Sequence, residues 1–247
     1  MNTSFNSFFK IYLVLIFSLS SYYLFEKHLN LVEYTISDWL INYQGGFTRR
    51  GLLGEIVFKI NFLFPIGLRK VIYILQLISY SFYLILVFFF LKDLKKNYFI
   101  ILAIFSPIFI LYPLAEVEVL ARKELFLFIT FLLFINVCSL KKNENIKYYF
   151  LSIALPLIAL IWEGVIFYIT FFIFLVILSN KKNKLINLKI FLSFLPFLIT
   201  LFFIFFLKLS PAGMASMCIS VNECYGAMNF TTKTLLFYYN EATSQFE

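Results

Sequence analysis

The sequence is poor in charge and in the residues that commonly bind transition metals. Only 14% of its 247 residues are charged, whereas soluble domains carry roughly a quarter. The one histidine and three cysteines do not have the close spacing of a Cys/His zinc cluster, and the chain contains neither a serine triad nor a Walker loop. These shortages argue against a soluble globular fold and against the metalloenzymes and nucleotide hydrolases that such motifs identify.

Apolar and aromatic residues are in excess instead. Hydrophobic residues make up 62% of the chain and aromatic residues 21%, more than one soluble core of this length could hide, whereas lipid can solvate them. The net charge of +8 does not indicate nucleic acid as a partner, because most lysines lie in short clusters between apolar runs. Membrane lipids are the partner that this composition predicts.

The apolar runs predict an all-α fold, a polytopic transmembrane bundle of about seven spans. The block 148–179 would be about 48 Å long as one helix, so we expect it to break at Trp162-Glu163-Gly164 into two short spans. The predicted spans lie near 9–26, 71–91, 98–115, 124–140, 148–162, 164–179 and 190–208. They leave an outer loop at 27–70 and a polar outer tail at 209–247, an ending that leaves open whether the chain is a fragment.

The distribution of basic residues predicts the orientation. Lysine clusters at 92–96, 141–147 and 181–189 all fall in the cytoplasm if the N-terminus is cytoplasmic, as the positive-inside rule requires. All four arginines then lie on the outer side: Arg49, Arg50, Arg69 and Arg122. We therefore expect an inner (plasma) membrane protein whose active face is extracytoplasmic.

The start of the outer loop has helical periodicity. An apolar stripe is formed by Val32, Ile36, Trp39, Leu40 and Tyr43. Asp38 falls away from this stripe, which predicts an interfacial amphipathic helix with Asp38 facing either water or a pocket. Both environments of Asp38 stay open at this point.

A glycine- and arginine-rich stretch follows at 44–55, reading Gln-Gly-Gly-Phe-Thr-Arg-Arg-Gly-Leu-Leu-Gly-Glu. Glycines permit tight turns that expose backbone N–H groups, and Arg49 and Arg50 concentrate positive charge. The stretch fits a cradle for a phosphate or pyrophosphate at the bilayer edge. A turn whose arginines bind ordinary lipid phosphates is the alternative.

A second charged stretch lies at 116–124, where five of nine residues are charged. Its candidate acids are Glu116 and Glu118, and Glu118 would pair with Arg122 if the segment were helical. Asp38 and Glu118 could share Mg²⁺ or Mn²⁺, which prefer oxygen ligands. A solvated turn ended by an ion pair explains the same residues.

Two further features involve single residues. Glu163 would lie below the outer surface, because each flanking helix is too short to cross the hydrocarbon core; an acid at that depth is a functional candidate, although a capped turn is the alternative. Cys218 and Cys224 bracket a short outer loop, where oxidation is permitted, and we predict a disulfide between them. We expect Cys138 to be a free thiol.

The whole arrangement resembles the membrane-embedded GT-C glycosyltransferases, in its cytoplasmic N-terminus, long first outer loop with an acid, and acids in a short outer turn. The segment from Gly45 to Glu55, with Arg122-Lys123-Glu124 and Trp162-Glu163-Gly164, also resembles uncharacterised bacterial membrane proteins associated with surface-polysaccharide assembly. This chain departs from the GT-C pattern in lacking a D-x-D motif and additional C-terminal helices.

The resemblance implies a lipid-linked, polyprenyl-phosphate sugar as donor. It makes Asp38 the base or metal ligand and Glu116 or Glu118 the second acid, with Glu163 as a further catalytic candidate. The expected phosphate-binding residues are Arg49, Arg50, Arg122 and Lys123. A flippase for an anionic lipid-linked glycan and a non-catalytic scaffold subunit are the alternative functions.

Overall fold

Every element of the described chain is a helix, which satisfies its backbone hydrogen bonds internally, as a lipid environment demands. The computed structural model describes residues 2–29, 34–92, 94, 98–106, 109–139, 145–179, 188–222 and 228. Its α-helices are α1 (Asn2–Leu29), α2 (Tyr34–Leu40), α3 (Gly51–Leu63), α4 (Leu68–Lys92), α5 (Tyr98–Phe105), α6 (Tyr112–Ala115), α7 (Glu124–Ser139), α8 (Ile146–Ile161), α9 (Ile169–Ser179), α10 (Leu188–Phe206) and α11 (Pro211–Val221). Two 3₁₀ helices cover Val117–Val119 and Glu163–Tyr168.

Three of these helices are long and apolar enough to cross a membrane. They are Phe5–Leu29 within α1, all of α4, and all of α10, with mean hydropathies of 1.6, 2.2 and 2.3. They coincide with the spans predicted near 9–26, 71–91 and 190–208. The other four predicted spans fall on shorter helices, of which α7 and α8 have 16 residues each and rise about 24 Å.

The apolar block 148–179 is interrupted beside Glu163. Helix α8 ends at Ile161, Trp162 is extended with φ −157° and ψ 111°, and the 3₁₀ helix begins at Glu163. Lys147 Nζ donates to Ser179 Oγ at 3.1 Å, so the end of α9 lies beside the start of α8. The two helices therefore form a hairpin with Glu163 at its turn.

Two hydrophobic clusters hold the helices together. One joins α2, α3 and the start of α4 to helices α7 to α11, and the other joins α1 and α5 to α4 and α7. Helices α4 and α7 contribute to both clusters and so connect the two halves. Outside the clusters, many large apolar side chains are exposed, as expected for helices whose outer faces contact lipid.

The predicted interfacial amphipathic helix is wrong. Helix α2 has only seven residues, and all but Tyr34 are buried within the protein. Trp39 is fully buried against Phe126, with ring centroids 5.8 Å apart, and the backbone carbonyls of Trp39 and Ile41 touch Gly54, where a Cβ would clash. This close packing against α3 buries α2 inside the protein.

Two helices occur where the sequence analysis expected irregular segments. Helix α3 lies in the predicted outer loop and α11 in the predicted polar tail. Ser210 caps α11 by accepting a hydrogen bond from Gly213 N at 3.0 Å. The backbone of Gly213 in turn lies directly against Gly45, so α11 supports the glycine-rich stretch.

Candidate functional site

Five charged residues from four separate segments meet at one end of the α7 and α8 helices. They are Asp38 on α2, Arg49 and Arg50 before α3, Lys123 before α7, and Glu163 after α8. We call these five residues the ionic cluster. All five were candidate site residues in the sequence analysis, and the fold brings together positions up to 125 residues apart, from 38 to 163.

The pair between Arg50 and Glu163 is the strongest contact of the cluster. Arg50 Nε donates to Glu163 Oε2 at 2.7 Å, and Arg50 Nη2 donates to Oε1 at 2.8 Å. This two-pronged geometry is the favourable one for guanidinium and carboxylate. Glu163 is only 7% exposed, and Arg49 Nη1 lies 3.9 Å from its Oε1. The pair ties the glycine-rich stretch to the break between α8 and α9.

Asp38 lies between two cations. Arg50 Nη1 is 3.5 Å from its Oδ1, and Lys123 Nζ is 3.8 Å from its Oδ2. At 7% exposure, Asp38 does not face bulk water, so the interpretation as a solvated surface acid is wrong. It occupies a charged pocket instead.

Lys123 is the most deeply buried member of the cluster. Its side chain is fully buried, and Nζ donates to the backbone carbonyl of Arg50 at 2.7 Å. Burial lowers the pKa of Lys123 to about 8, a shift that the negative charges of Asp38 and Glu163 only partly oppose. Lys123 therefore changes charge near neutral pH.

Lys123 also supports an unusual backbone conformation. Arg50 adopts φ 61° and ψ 12°, the left-handed region that costs a non-glycine residue about 1 kcal/mol or more. The hydrogen bond from Lys123 holds the Arg50 carbonyl in this conformation. Arg50 is also the first residue before α3, with no side-chain cap on the helix, so the positive end of the α3 dipole lies beside the cluster.

The cluster carries a surplus of positive charge when Lys123 is protonated. Among the residues that the structure describes, three cations (Arg49, Arg50 and Lys123) face two carboxylates (Asp38 and Glu163), so these five side chains together carry a net charge of +1. The neighbouring Arg122 and Glu124 bind each other at 3.1 Å and add nothing to this balance. Buried charge is costly unless it is compensated, so the cluster is suited to an anionic ligand.

A carboxylate that the sequence analysis left without a role organises the glycine-rich stretch. Glu55 on α3 accepts hydrogen bonds from Gln44 Nε2 at 3.1 and 3.2 Å and from Tyr43 N at 3.2 Å. Glu55 thereby ties Tyr43 and Gln44 to α3, at a position six residues after Arg49 and five after Arg50. Its position in the motif was visible in the sequence, but the partners that it binds were not.

Three of the predicted site residues lie outside the cluster. Glu116 and Glu118 are exposed, and the backbone carbonyl of Glu118, rather than its carboxylate, accepts a bond from Thr35 at 3.3 Å. Arg122 pairs with Glu124 instead of Glu118, because residues 117–119 form a 3₁₀ helix that ends before Arg122. Of the predicted site residues at 116–124, only Lys123 belongs to the ionic cluster.

The residues proposed for Mg²⁺ or Mn²⁺ do not fit a divalent cation. Both oxygens of Asp38 face cationic side chains, whereas Glu118 is exposed. Within the described residues, no group of three His, Cys, Asp or Glu side chains could hold a metal ion.

The predicted disulfide lies at the edge of the described chain. Cys218 on α11 is disulfide-bonded, while Cys224 lies outside the described residues. Cys138 is a free thiol, as predicted. The bonded Cys218 is buried in the cluster that α11 shares with α2 and α3, which places this cross-link near the support of the glycine-rich stretch.

The opposite end of the bundle is marked by lysine. Lys189 Nζ donates to Asn145 Oδ1 at 3.4 Å, and Lys147 binds Ser179, so these two lysines lie near each other at that end. Helix α8 separates this end from Glu163 by about 24 Å of rise. The arginines and carboxylates of the ionic cluster thus lie at one end of the bundle, and these two lysines lie at the other.

No known protein family, curated protein or solved structure matches the chain.

Proposed function

We propose that the protein is a membrane-embedded glycosyltransferase that takes its sugar from a polyprenyl-phosphate donor during envelope or surface-polysaccharide assembly. The observation that carries the proposal is the ionic cluster, in which three cations and two carboxylates converge. A sugar leaving a phosphate requires stabilisation of the negative charge that develops there. The proposed site faces the extracytoplasmic side of the inner (plasma) membrane.

The donor phosphate would bind Arg50 and Lys123, beside the start of α3. Glu163 accepts two short hydrogen bonds from the guanidinium of Arg50. The phosphodiester of the donor is an anion like the carboxylate, its two free oxygens can take over one of these N–H groups, and it gains negative charge as the sugar leaves. Glu163 thereby keeps Arg50 oriented until the donor arrives.

Asp38 is the proposed base. A bound phosphate offsets the positive charge of Arg50 and Lys123 on either side of Asp38, which favours transfer of a proton to this carboxylate. The acceptor oxygen forms a bond to the anomeric carbon of the sugar, and its proton passes to Asp38. The bond between the anomeric carbon and the phosphate oxygen breaks, and its electron pair leaves on the polyprenyl phosphate.

Binding and turnover of purified protein in lipid nanodiscs test the proposal separately. The binding probe is a sugar-free polyprenyl phosphate, with the uncharged polyprenol as its matched control. Arg50→Gln should weaken binding of the phosphate by about tenfold or more, since a hydrogen bond to a charged group contributes about 1.5–3 kcal/mol. Glu163→Gln should strengthen it, because Arg50 no longer has a competing carboxylate.

Turnover is followed as sugar transfer from a pool of lipid-linked donors. Asp38→Asn should retain binding of the polyprenyl phosphate and lose transfer, because an amide cannot accept the acceptor's proton. Unchanged turnover in Asp38→Asn, Arg49→Ala and Arg50→Gln would eliminate the glycosyltransferase. Equal binding of the phosphate and the polyprenol would remove the phosphate site itself.

A flippase for an anionic lipid-linked glycan is the second candidate, and the broken helix at Trp162 favours it. Interrupted helices at membrane depth are common in transporters, and here the break carries an acid bound to the proposed cargo-binding arginine. Reconstituted liposomes distinguish the two functions. Movement of a fluorescent lipid-linked glycan across the bilayer without sugar transfer would favour the flippase, and transfer without movement the enzyme.

A further inference from the structure

An apolar groove lies among α4, α7, α9 and the 3₁₀ helix that begins at Glu163. Its volume is about 320 Å³, and eight of its twelve lining residues are Phe or Tyr. None of these twelve described residues is charged. Phe128 and Phe171 are 43% and 53% exposed, so the groove is open to the lipid side of the helices.

The groove lining on α7 starts one helical turn after Lys123 of the ionic cluster. Leu127 and Phe131 both line it and follow Lys123 at intervals of four residues, which places them on the Lys123 side of α7, the nearer one about 6 Å further along the helix. Tyr168 lines it from the 3₁₀ helix that starts at Glu163. The same two segments therefore supply the cluster and the groove.

Contacts between aromatic rings connect the walls of the groove. The Phe131 and Phe172 rings meet edge to face at 5.4 Å, and Tyr168 lies 6.3 Å from Phe128 and 6.1 Å from Trp162. Such pairs stabilise a packing arrangement beyond the area that they bury. The groove is thus a shaped site rather than a gap between loosely packed helices.

We propose that this groove binds the prenyl chain of a polyprenyl phosphate whose phosphate group lies in the ionic cluster. The proposal rests on the proposed function and deepens it by assigning the lipid part of the donor to a surface of its own. Along α7 the lining extends from Leu127 to Ile135, about 12 Å of helix. That length suits the first few isoprene units of one chain, and the rest of the chain would remain among the membrane lipids.

A prenyl chain fits the site better than an ordinary phospholipid. Lipid tails gain little by leaving one apolar environment for another, so selective occupancy requires shape and an attachment point for the headgroup. The groove supplies the aromatic shape, and the adjacent cluster supplies a net positive charge within one helical turn of Leu127. A polyprenyl phosphate has one chain and one phosphate, matching both parts.

The test is photo-crosslinking in nanodiscs with a polyprenyl phosphate that carries a diazirine in its first isoprene units. A phospholipid with a diazirine in one acyl chain is the comparison. We expect the prenyl probe to label peptides of α7 and α9 in the unmodified protein, and unlabelled polyprenyl phosphate to reduce that labelling. Uniform labelling of all outward helix faces, or equal labelling by the phospholipid, would overturn the proposal.

A cavity-filling variant makes the test sharper. Leu132 lines the groove, so Leu132→Trp should reduce binding of the prenyl probe by about tenfold, given the cost of overfilling a packed site. Leu198→Trp, on the lipid-exposed face of α10, is the matched control and should bind normally. Normal binding by a folded Leu132→Trp protein would also overturn the proposal.

The two proposals fail in different ways. If the groove is labelled selectively but no sugar is transferred, the prenyl-binding site is supported and the glycosyltransferase function is excluded. If sugar is transferred and Arg50→Gln abolishes binding while Leu132→Trp has no effect, the enzyme stands and the groove assignment falls.

Discussion

Lys123 is the residue whose surroundings set the charge of the whole cluster. It is fully buried, yet its Nζ donates to the Arg50 carbonyl and lies near Asp38. Removing its proton would change the net charge of the cluster from +1 to zero. The ionisation of one side chain therefore controls how strongly the site attracts an anion.

We predict that binding of polyprenyl phosphate weakens as the pH rises through about 8. The pKa of Lys123 is lowered to about 8 by burial, so the residue is cationic below that pH and neutral above it. The charged groups facing it are Asp38, Arg50, Glu163 and Glu124. Dissociation constants measured between about pH 7 and about pH 9.5 should increase by about tenfold.

The Lys123→Met variant provides the control for this pH dependence. It replaces the ammonium by a neutral chain of similar length, so its binding should be weak throughout and independent of pH in the same range. A pH profile in Lys123→Met that parallels the original protein would assign the titration to another group.

At the scale of the element, α3 is the part that aligns the cluster. It begins at the residue after Arg50 and carries Glu55. Its Gly54 packs against the backbone carbonyls of Trp39 and Ile41, at the end of α2. Asp38 and Arg50 therefore keep their relative position only while α2 and α3 stay in this close contact.

We predict that Gly54→Ala lowers both stability and phosphate binding. A Cβ at Gly54 would collide with the backbone carbonyls of Ile41 and Trp39, which cannot rotate away as a side chain can. We expect a loss of about 1–3 kcal/mol in stability, as is usual for overpacking, measured as a lower midpoint of thermal unfolding in detergent. Ile56→Ala, at an exposed position on the same helix, should leave the midpoint nearly unchanged.

At the scale of the molecule, the fold divides two kinds of basic residue between its ends. Lys147 and Lys189 bind partners at the far end of α8, whereas the arginines of the cluster lie beside Glu163. Because these two sets of residues lie at opposite ends of the bundle, the predicted orientation in the membrane can be tested.

We predict that the end bearing the cluster is labelled from outside the cell. In a Cys138→Ser background, cysteines introduced at Lys59 and Glu118, both exposed near that end, should react with a membrane-impermeant maleimide in intact cells. A cysteine at Lys189, exposed at the opposite end, should react only after the membrane is permeabilised. If positions 59 and 118 were reached from different compartments, no common outer site could exist.

The sequence by itself determined the all-helical, apolar class of the protein and the position where the 148–179 block breaks. Composition and hydropathy are sums over the chain, and the break follows from length, so neither requires knowledge of contacts. Local charge and glycine content also identified Asp38, Arg49, Arg50, Lys123 and Glu163 as candidates. For three of the seven predicted spans, the long helices α1, α4 and α10 occur where hydropathy placed them.

Only the tertiary structure decided how these residues are used. Periodicity placed Asp38 on a surface helix, but the packing of Gly54 against the backbone after α2 buried it. Spacing suggested a pair between Glu118 and Arg122. In the structure residues 117–119 form a short 3₁₀ helix, Glu118 lies outside the ionic cluster, and Lys123 contacts Asp38 within it. Contacts between residues 38, 50, 123 and 163 depend on how helices distant in sequence pack against one another. Composition, periodicity and spacing along the chain do not contain those distances.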